Sequence, residues 1–169
     1  MNLAVGQGDV QVTPLQLARA YGAIANGGYL VTPHLGLRVD ALDGSVADQL
    51  GHGKRKRVGI AAAYRQAILQ GLRGAASTPG GTSTDVFKGF PIPVAGKTGT
   101  AQKGAGRPDQ SWYVALAPYP NPRYVVAVTD ETGGWGAQTA APDARRILAV
   151  LFGVKGKAAQ AQKGSSHTF

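Results

Sequence analysis

Val94-Ala95-Gly96-Lys97-Thr98-Gly99-Thr100-Ala101-Gln102 begins apolar and turns rich in glycine and threonine, a run that two different structures can carry. Gly96-Lys97-Thr98 first suggests a phosphate-binding loop. Such a loop needs a glycine five residues before the one that precedes the lysine, and it must open a helix. Here that position is Pro91, and Thr100 leads through Gly104, Gly106 and Pro108 toward another strand-like stretch. Nucleotide binding is therefore set aside, and a strand remains. Alternation along a strand puts Thr98 and Thr100 on one face, where two hydroxyls can converge on one carboxylate. A nearby lysine adds attraction of about 4 kcal/mol at ~4 Å with an effective dielectric near 20, before desolvation is subtracted. Gly99 lets a ligand approach the backbone, and an exposed strand edge can pair with an extended peptide.

Downstream, Ser111 to Pro118 and Tyr124 to Asp130 are almost continuously apolar, the pattern of strands covered on both faces. Tyr119-Pro120-Asn121-Pro122 joins them, a connector that cannot continue a ladder. With Pro93 to Lys103 they are expected to form neighbouring antiparallel strands. Pro142 to Phe152 reads as a last helix, with Asp143 in its first turn, Gly153 as its stop, and Ile147, Leu148 and Leu151 facing the sheet. Residues 154 to 169 carry Lys, Gln, Ala, Gly and Ser without apolar periodicity. They are expected to be a disordered basic tail that packs against nothing.

Upstream, Thr13 to Asn26 reads as a helix. Thr13 is the N-cap, Pro14 takes the first helical position, Gln16 completes a capping box, and Gly27-Gly28 ends it. Leu17, Ala18, Tyr21, Ile24 and Ala25 fall on one face. Leu35 to Ala41 and Val46 to Leu50 flank an Asp43-Gly44 hairpin turn. A solvated basic loop follows at Lys54 to Arg57. Ala61 to Arg73 reads as a second helix, with Tyr64, Ile68 and Leu72 four apart, and Gly74 to Thr84 as a loop. The expected fold class is α+β: an antiparallel sheet with flanking helices, one unit over residues 1–153.

Composition narrows the chemistry. A chain of 169 residues with 43% hydrophobic content can bury a real core, and its 25 glycines suit many short elements. There is no cysteine, so disulfides, zinc–thiolate sites and cysteine nucleophiles are excluded. No run approaches the roughly 18 apolar residues of a membrane span. Most of the net charge of +9 sits in Lys54, Arg55, Lys56 and Arg57 and in Lys155, Lys157 and Lys163; the other 11 basic residues face 9 acidic ones, which leaves only +2. Neither basic run contains an aromatic, which argues against a nucleic-acid surface. His34, His52 and His167 lack ligand spacing, and Gly81-Thr82-Ser83-Thr84 fails as a nucleophile elbow because Asp85 stands where glycine is required. Neither a metal nor a cofactor is expected.

Gly6-Gln7-Gly8-Asp9-Val10-Gln11-Val12-Thr13-Pro14-Leu15-Gln16-Leu17-Ala18, followed by Ala25-Asn26-Gly27-Gly28, resembles a segment of class B penicillin-binding proteins. In that family it lies upstream of a Lys-Thr-Gly strand, which Lys97-Thr98-Gly99 resembles in turn. The likeness is greatest to the elongation-type transpeptidases and covers about residues 4 to 153, with the elements in the family's order. By this resemblance the chain is the C-terminal part of a peptidoglycan D,D-transpeptidase domain. The resemblance implies that Lys97 maintains the electrostatics of the active site. It implies that Thr98, Gly99 and Thr100 bind the carboxylate end of a stem peptide or of a β-lactam. It also implies that the Thr100 backbone N–H is one oxyanion-hole donor. Trp112 is expected to be a structural aromatic.

The family's nucleophile lies in Ser-x-x-Lys, beside a Ser-x-Asn motif. Ser45, Ser77, Ser83, Ser111, Ser165 and Ser166 fit neither spacing. Both motifs are expected before Gly6 in a longer protein. Met1, the sole methionine, fits a late start codon, a truncated gene or a fragment. This chain alone is therefore expected to be inactive, needing the missing N-terminal half as its partner. The alternative is a non-catalytic module that keeps only the strand. Family members work at the extracytoplasmic face of the cell membrane, a location implied here by resemblance.

Overall fold

The computed structural model describes residues 6–8, 10–51, 53–104 and 106–160. Its centre is a sheet of three antiparallel strands: β5 (Ala95–Ala101), β6 (Gln110–Ala117) and β7 (Tyr124–Asp130), in the order β5-β6-β7. Lys97 pairs with Val114 and Thr98 with Tyr113 across one ladder, and Val114 pairs with Ala127 across the other. The expected strands and their antiparallel order are observed. Each is shorter than or within two residues of its expected span, because Pro93 and Pro118 flank the ladder ends.

Alternation along β6 splits the core in two. Tyr113, Ala115 and Ala117 face one way, joined by Val94 and Val126, and pack on α4 (Ala140–Leu151) and the short helix α3 (Thr84–Phe87). Ala95 and Leu116 face the other way, against Leu69 and Leu72 of α2 (Ala62–Ser77) and Tyr21 and Ala25 of α1 (Pro14–Ala25). The sheet is thus covered by helices on both faces, an α+β arrangement. β6 is the most enclosed, with six of its eight residues buried, whereas Val126 is the one buried residue of β7. β7 is an edge strand, and its apolar run buries on contact with helix on part of its surface.

α1 starts as its sequence dictates. Gln16 N–H donates to Thr13 Oγ1 at 3.2 Å, and Thr13 N–H donates to Gln16 Oε1 at 2.8 Å. Gly27 and Gly28 both adopt φ of 92°, which turns the chain out of the helix where a side chain would strain it.

Two helix faces differ from expectation. In α2 the inward stripe runs through half-buried Arg65 and Leu69 and buried Leu72 and Ala76, while Tyr64 is 70% and Ile68 41% exposed. Steps of four drift around a helix of 3.6 residues per turn, whereas steps of four and three hold one side. α2 also continues to Ser77, four residues past Arg73, into the expected loop. In α4, Leu148 is buried but Ile147 and Leu151 are each 42% exposed. Ala140, Ala141 and Ala144 take the sheet side with Leu148, because small residues let the helix axis approach the strands.

Arg145 is the least expected core residue, only 1% exposed. Its guanidinium donates to the carbonyls of Val86, Lys88 (3.0 Å) and Ala158 (2.8 Å) and lies 5.3 Å from the Phe90 ring centroid. Three carbonyls, rather than a carboxylate, offset the cost of burying the charge, and that burial lowers its pKa. The Ala158 contact corrects the expected tail. Residues 156–159 form a 3-10 turn tied to Arg145, and Val154 N–H donates to the Ala149 carbonyl at 2.8 Å. Residues 161–169 lie outside the described residues.

Two small ribbons complete the fold. β2 (Arg38–Asp40) and β3 (Val46–Gln49) form the expected hairpin, with Gly44 at φ 82° in its turn. The basic run is a strand rather than a loop. β4 (Arg55–Arg57) pairs antiparallel with β1 (Tyr29–Val31), and the Arg55 guanidinium lies 4.9 Å from the Tyr29 ring centroid. Pairing needs only backbone groups, so three exposed cations can still form a strand.

Candidate functional site

β5 has β6 on one side and, among the described residues, no strand on the other. Its two halves are built differently. Val94, Ala95 and Gly96 are buried, and a Cβ at Gly96 would stand 2.7 Å from the Val114 carbonyl oxygen. Glycine is required there. From Lys97 onward the cover recedes: Lys97 is exposed, and Thr98, Gly99 and Thr100 are half-buried. The four residues expected to form the site are thus the stretch where a rigid strand emerges from its packing.

Thr98 and Thr100 share a face, as alternation requires. Lys97 points to the opposite face but curls around the edge, where its Nζ donates to the Thr98 carbonyl at 3.0 Å and to Thr98 Oγ1 at 3.2 Å. Partial shielding from water lowers the Lys97 pKa. The ammonium is thereby held beside the Thr98 hydroxyl by the strand itself.

Thr100 is fixed from two directions. Its Oγ1 accepts from the Gly136 N–H at 3.4 Å. A Cβ at Gly136 would stand 2.6 Å from the Trp112 carbonyl oxygen and 2.7 Å from that of Gly99, so only glycine lets this loop lie on the strands. Ser111 anchors the same loop: its hydroxyl donates to the Trp135 carbonyl at 3.3 Å and accepts from Ala140 N–H at 3.1 Å. The second fixing group is Gln7. Its Nε2 donates to the Thr100 carbonyl at 2.8 Å, and its Oε1 accepts from Gln102 N–H at 3.3 Å.

Beside these groups lies a cleft of about 530 Å³, lined by Gln7, Val10, Leu17, Gly99, Thr100 and Trp112 among others. Trp112 is half-buried, and a Cβ at Gly99 would come within 3.2 Å of its own Cβ. It therefore sets the floor under Gly99 as well as packing the sheet. A second cavity of about 550 Å³, lined by Arg73, Phe87, Phe90 and Ile92, includes none of residues 97–100. It borders α2 and the 84–94 segment.

Sequence reasoning placed Lys97, Thr98, Gly99 and Thr100 together, and they are contiguous on one edge. It missed Gln7, Ser111 and Gly136. Gln7 and Gly136 act across more than 30 residues, and Ser111 is an ordinary-looking polar residue at a strand start. The one available signal was Gln7 between two glycines, an amide on a backbone free to approach another strand.

Comparison with known proteins follows the same line. The family model for the penicillin-binding protein transpeptidase domain matches residues 2–149. The peptidoglycan D,D-transpeptidase MrdA of Salmonella typhimurium is 31% identical over 166 residues, covering 90% of this chain and 27% of the relative. The chain thus spans about a quarter of the length of the curated relatives it matches. Among solved structures, penicillin-binding protein A from Mycobacterium tuberculosis, as an imipenem acyl-enzyme complex, superposes with a TM-score of 0.73 at 29% identity. That match covers 89% of this chain and 33% of the other. The D,D-transpeptidase domain of a peptidoglycan glycosyltransferase from Eggerthella lenta gives a TM-score of 0.71 at 31% identity, over 86% of this chain and 34% of that one.

Proposed function

This chain belongs to the penicillin-binding protein transpeptidase family, and on that premise we propose that it supplies the carboxylate-binding wall of a peptidoglycan D,D-transpeptidase site. The observation that carries the proposal is the emergence of Lys97-Thr98-Gly99-Thr100 on a strand edge with no neighbouring strand among the described residues, with an ammonium held beside the Thr98 hydroxyl. A carboxylate is the complementary ligand: it accepts from hydroxyls and is drawn by the lysine charge. The stem peptide and β-lactams each present one.

The reaction class is acyl transfer through a covalent seryl intermediate. Thr98 and Thr100 hold the carboxylate, Gly99 keeps the backbone low, and Lys97 sets the local potential. The Thr100 N–H serves as one of two donors to the tetrahedral oxyanion. No serine here has the Ser-x-x-Lys spacing, so the nucleophile comes from residues outside this sequence. Among the described residues no helix is long and apolar enough to cross a membrane. Placement at the extracytoplasmic face therefore belongs to the proposal.

The test is a chimera in which residues 4–153 replace the corresponding part of the Salmonella relative. A fluorescent penicillin should label it, and Thr98→Val should weaken labelling about tenfold or more, the effect of one hydrogen bond to a charged group. A folded chimera that never labels would overturn the proposal and favour a binding module without catalysis.

A further inference from the structure

The outer edge of β5 is divided along its length. Pro93 C=O accepts from Tyr119 N–H at 2.8 Å, so peptide groups of odd-numbered residues turn toward β6 and those of even-numbered residues turn outward. Moving along the outward set, Val94 C=O accepts from Arg73 Nη1 at 2.8 Å, and Gly96 is buried. Thr98 comes next, its carbonyl accepting from the mobile end of its neighbour's side chain, Lys97 Nζ, at 3.0 Å, and then Thr100 N–H. Beyond them, Thr100 C=O and Gln102 N–H are both taken by the Gln7 carboxamide, at 2.8 and 3.3 Å. A primary amide presents one donor and one acceptor in a plane, as a peptide group does. Gln7 thus occupies the place where a further residue of an added strand would pair.

We propose that Gln7 caps the outer edge of β5, so that a ligand extended along this strand pairs with Thr98 and must end at Thr100. Gln7 is then a positioning residue that sets how far a ligand can run, and the ligand arm of this proposal rests on the function proposed above. Pairing of a peptide with an exposed strand draws its affinity from main-chain bonds, so closing the edge limits both length and register. It also protects an otherwise open edge from pairing with another chain. The length limit places the ligand's terminal carboxylate beside the Thr98 and Thr100 hydroxyls and Lys97 Nζ rather than farther along the strand.

Amide exchange by NMR on the 169-residue chain tests the cap without any ligand. The Gln102 amide should exchange more slowly than those of Thr98 and Thr100, and Gln7→Ala should speed it about fivefold, as expected for losing one hydrogen bond. Gln7→Glu keeps the acceptor for Gln102 N–H and loses the donor to Thr100, so Gln102 should stay protected. Unchanged Tyr113 and Ala115 amides would establish that both variants fold. Diacetyl-L-lysyl-D-alanyl-D-alanine is the probe for the ligand arm. It should shift the Thr98 and Thr100 amides in the wild type, and the Gln102 amide as well only in Gln7→Ala. A Gln102 amide that exchanges as fast as Thr98 in the wild type, or that the peptide shifts there, overturns the cap. If the peptide shifts no β5 amide, the carboxylate-binding function fails for this chain, and the exchange rates alone decide Gln7.

Discussion

The three-stranded sheet and the two ribbons are both antiparallel, yet they are held by different forces. In β6, Tyr113, Ala115, Leu116 and Ala117 have no exposed surface, whereas every residue of β2, β3 and β4 is exposed. The sheet is fixed by packing from two helical faces, and the exposed strands β2, β3 and β4 chiefly by backbone pairing. Each strand arrangement satisfies its hydrogen bonds, but only the first fixes side-chain positions to the accuracy that recognition needs. Residues 97–100 stand where the two regimes meet: anchored through Gly96 and Ala95, open from Lys97 onward.

The largest effect should separate the two regions outright. Leu148→Ala, at a site with no exposed surface, should cost about 2–5 kcal/mol in thermal or denaturant unfolding. Val39→Ala in the ribbon, 48% exposed, should stay within about 0.5 kcal/mol. Equal losses would mean the ribbon carries a packing load that its exposure conceals.

An intermediate effect concerns the end of the packed region. Deleting residues 154–169 removes the Ala158 carbonyl and leaves an Arg145 N–H buried without its acceptor. A loss of about 1–3 kcal/mol follows from that orphaned donor. A change smaller than the error of the melting measurement would return the segment to the solvated class.

Legibility in the sequence follows the same division. The strands, their order and the start of α1 were readable because local pattern and turn chemistry alone specify them. Thr13, Pro14 and Gln16 gave the cap, and the proline-rich connector gave the β6–β7 hairpin. The helix faces were not readable. Large apolar residues such as Tyr64 and Ile147 drew attention, while alanines and a buried arginine did the packing. A charge buried against carbonyls leaves no local trace, since Val86, Lys88 and Ala158 lie up to 59 residues from Arg145. At the site, Lys97-Thr98-Gly99 showed as a motif, whereas Gln7, 93 residues from Thr100, did not.

The smallest effect sharpens the boundary itself. Burial lowers the Lys97 pKa in the folded state, so the protonated side chain favours the unfolded chain. Lys97→Met should therefore be more stable than wild type at neutral pH. That cost is fully present below the folded pKa and disappears as pH rises to the ordinary lysine value of 10.5, where the two proteins should converge. A gap that stays constant across this window would point to packing rather than charge.

The central claim is that this chain holds a clamp and not a nucleophile. Acylation by a penicillin requires a serine activated by a neighbouring base, held opposite the strand that binds the carboxylate. On the function proposed above, Lys97, Thr98 and Thr100 supply one wall, and contacts to a well-hydrated carboxylate from one wall are weak. Intact-protein mass spectrometry of the 169-residue chain after exposure to excess penicillin tests this directly. The account predicts an unchanged mass. A stable adduct of one penicillin per chain would contradict it, because one of the chain's own serines would then be the nucleophile.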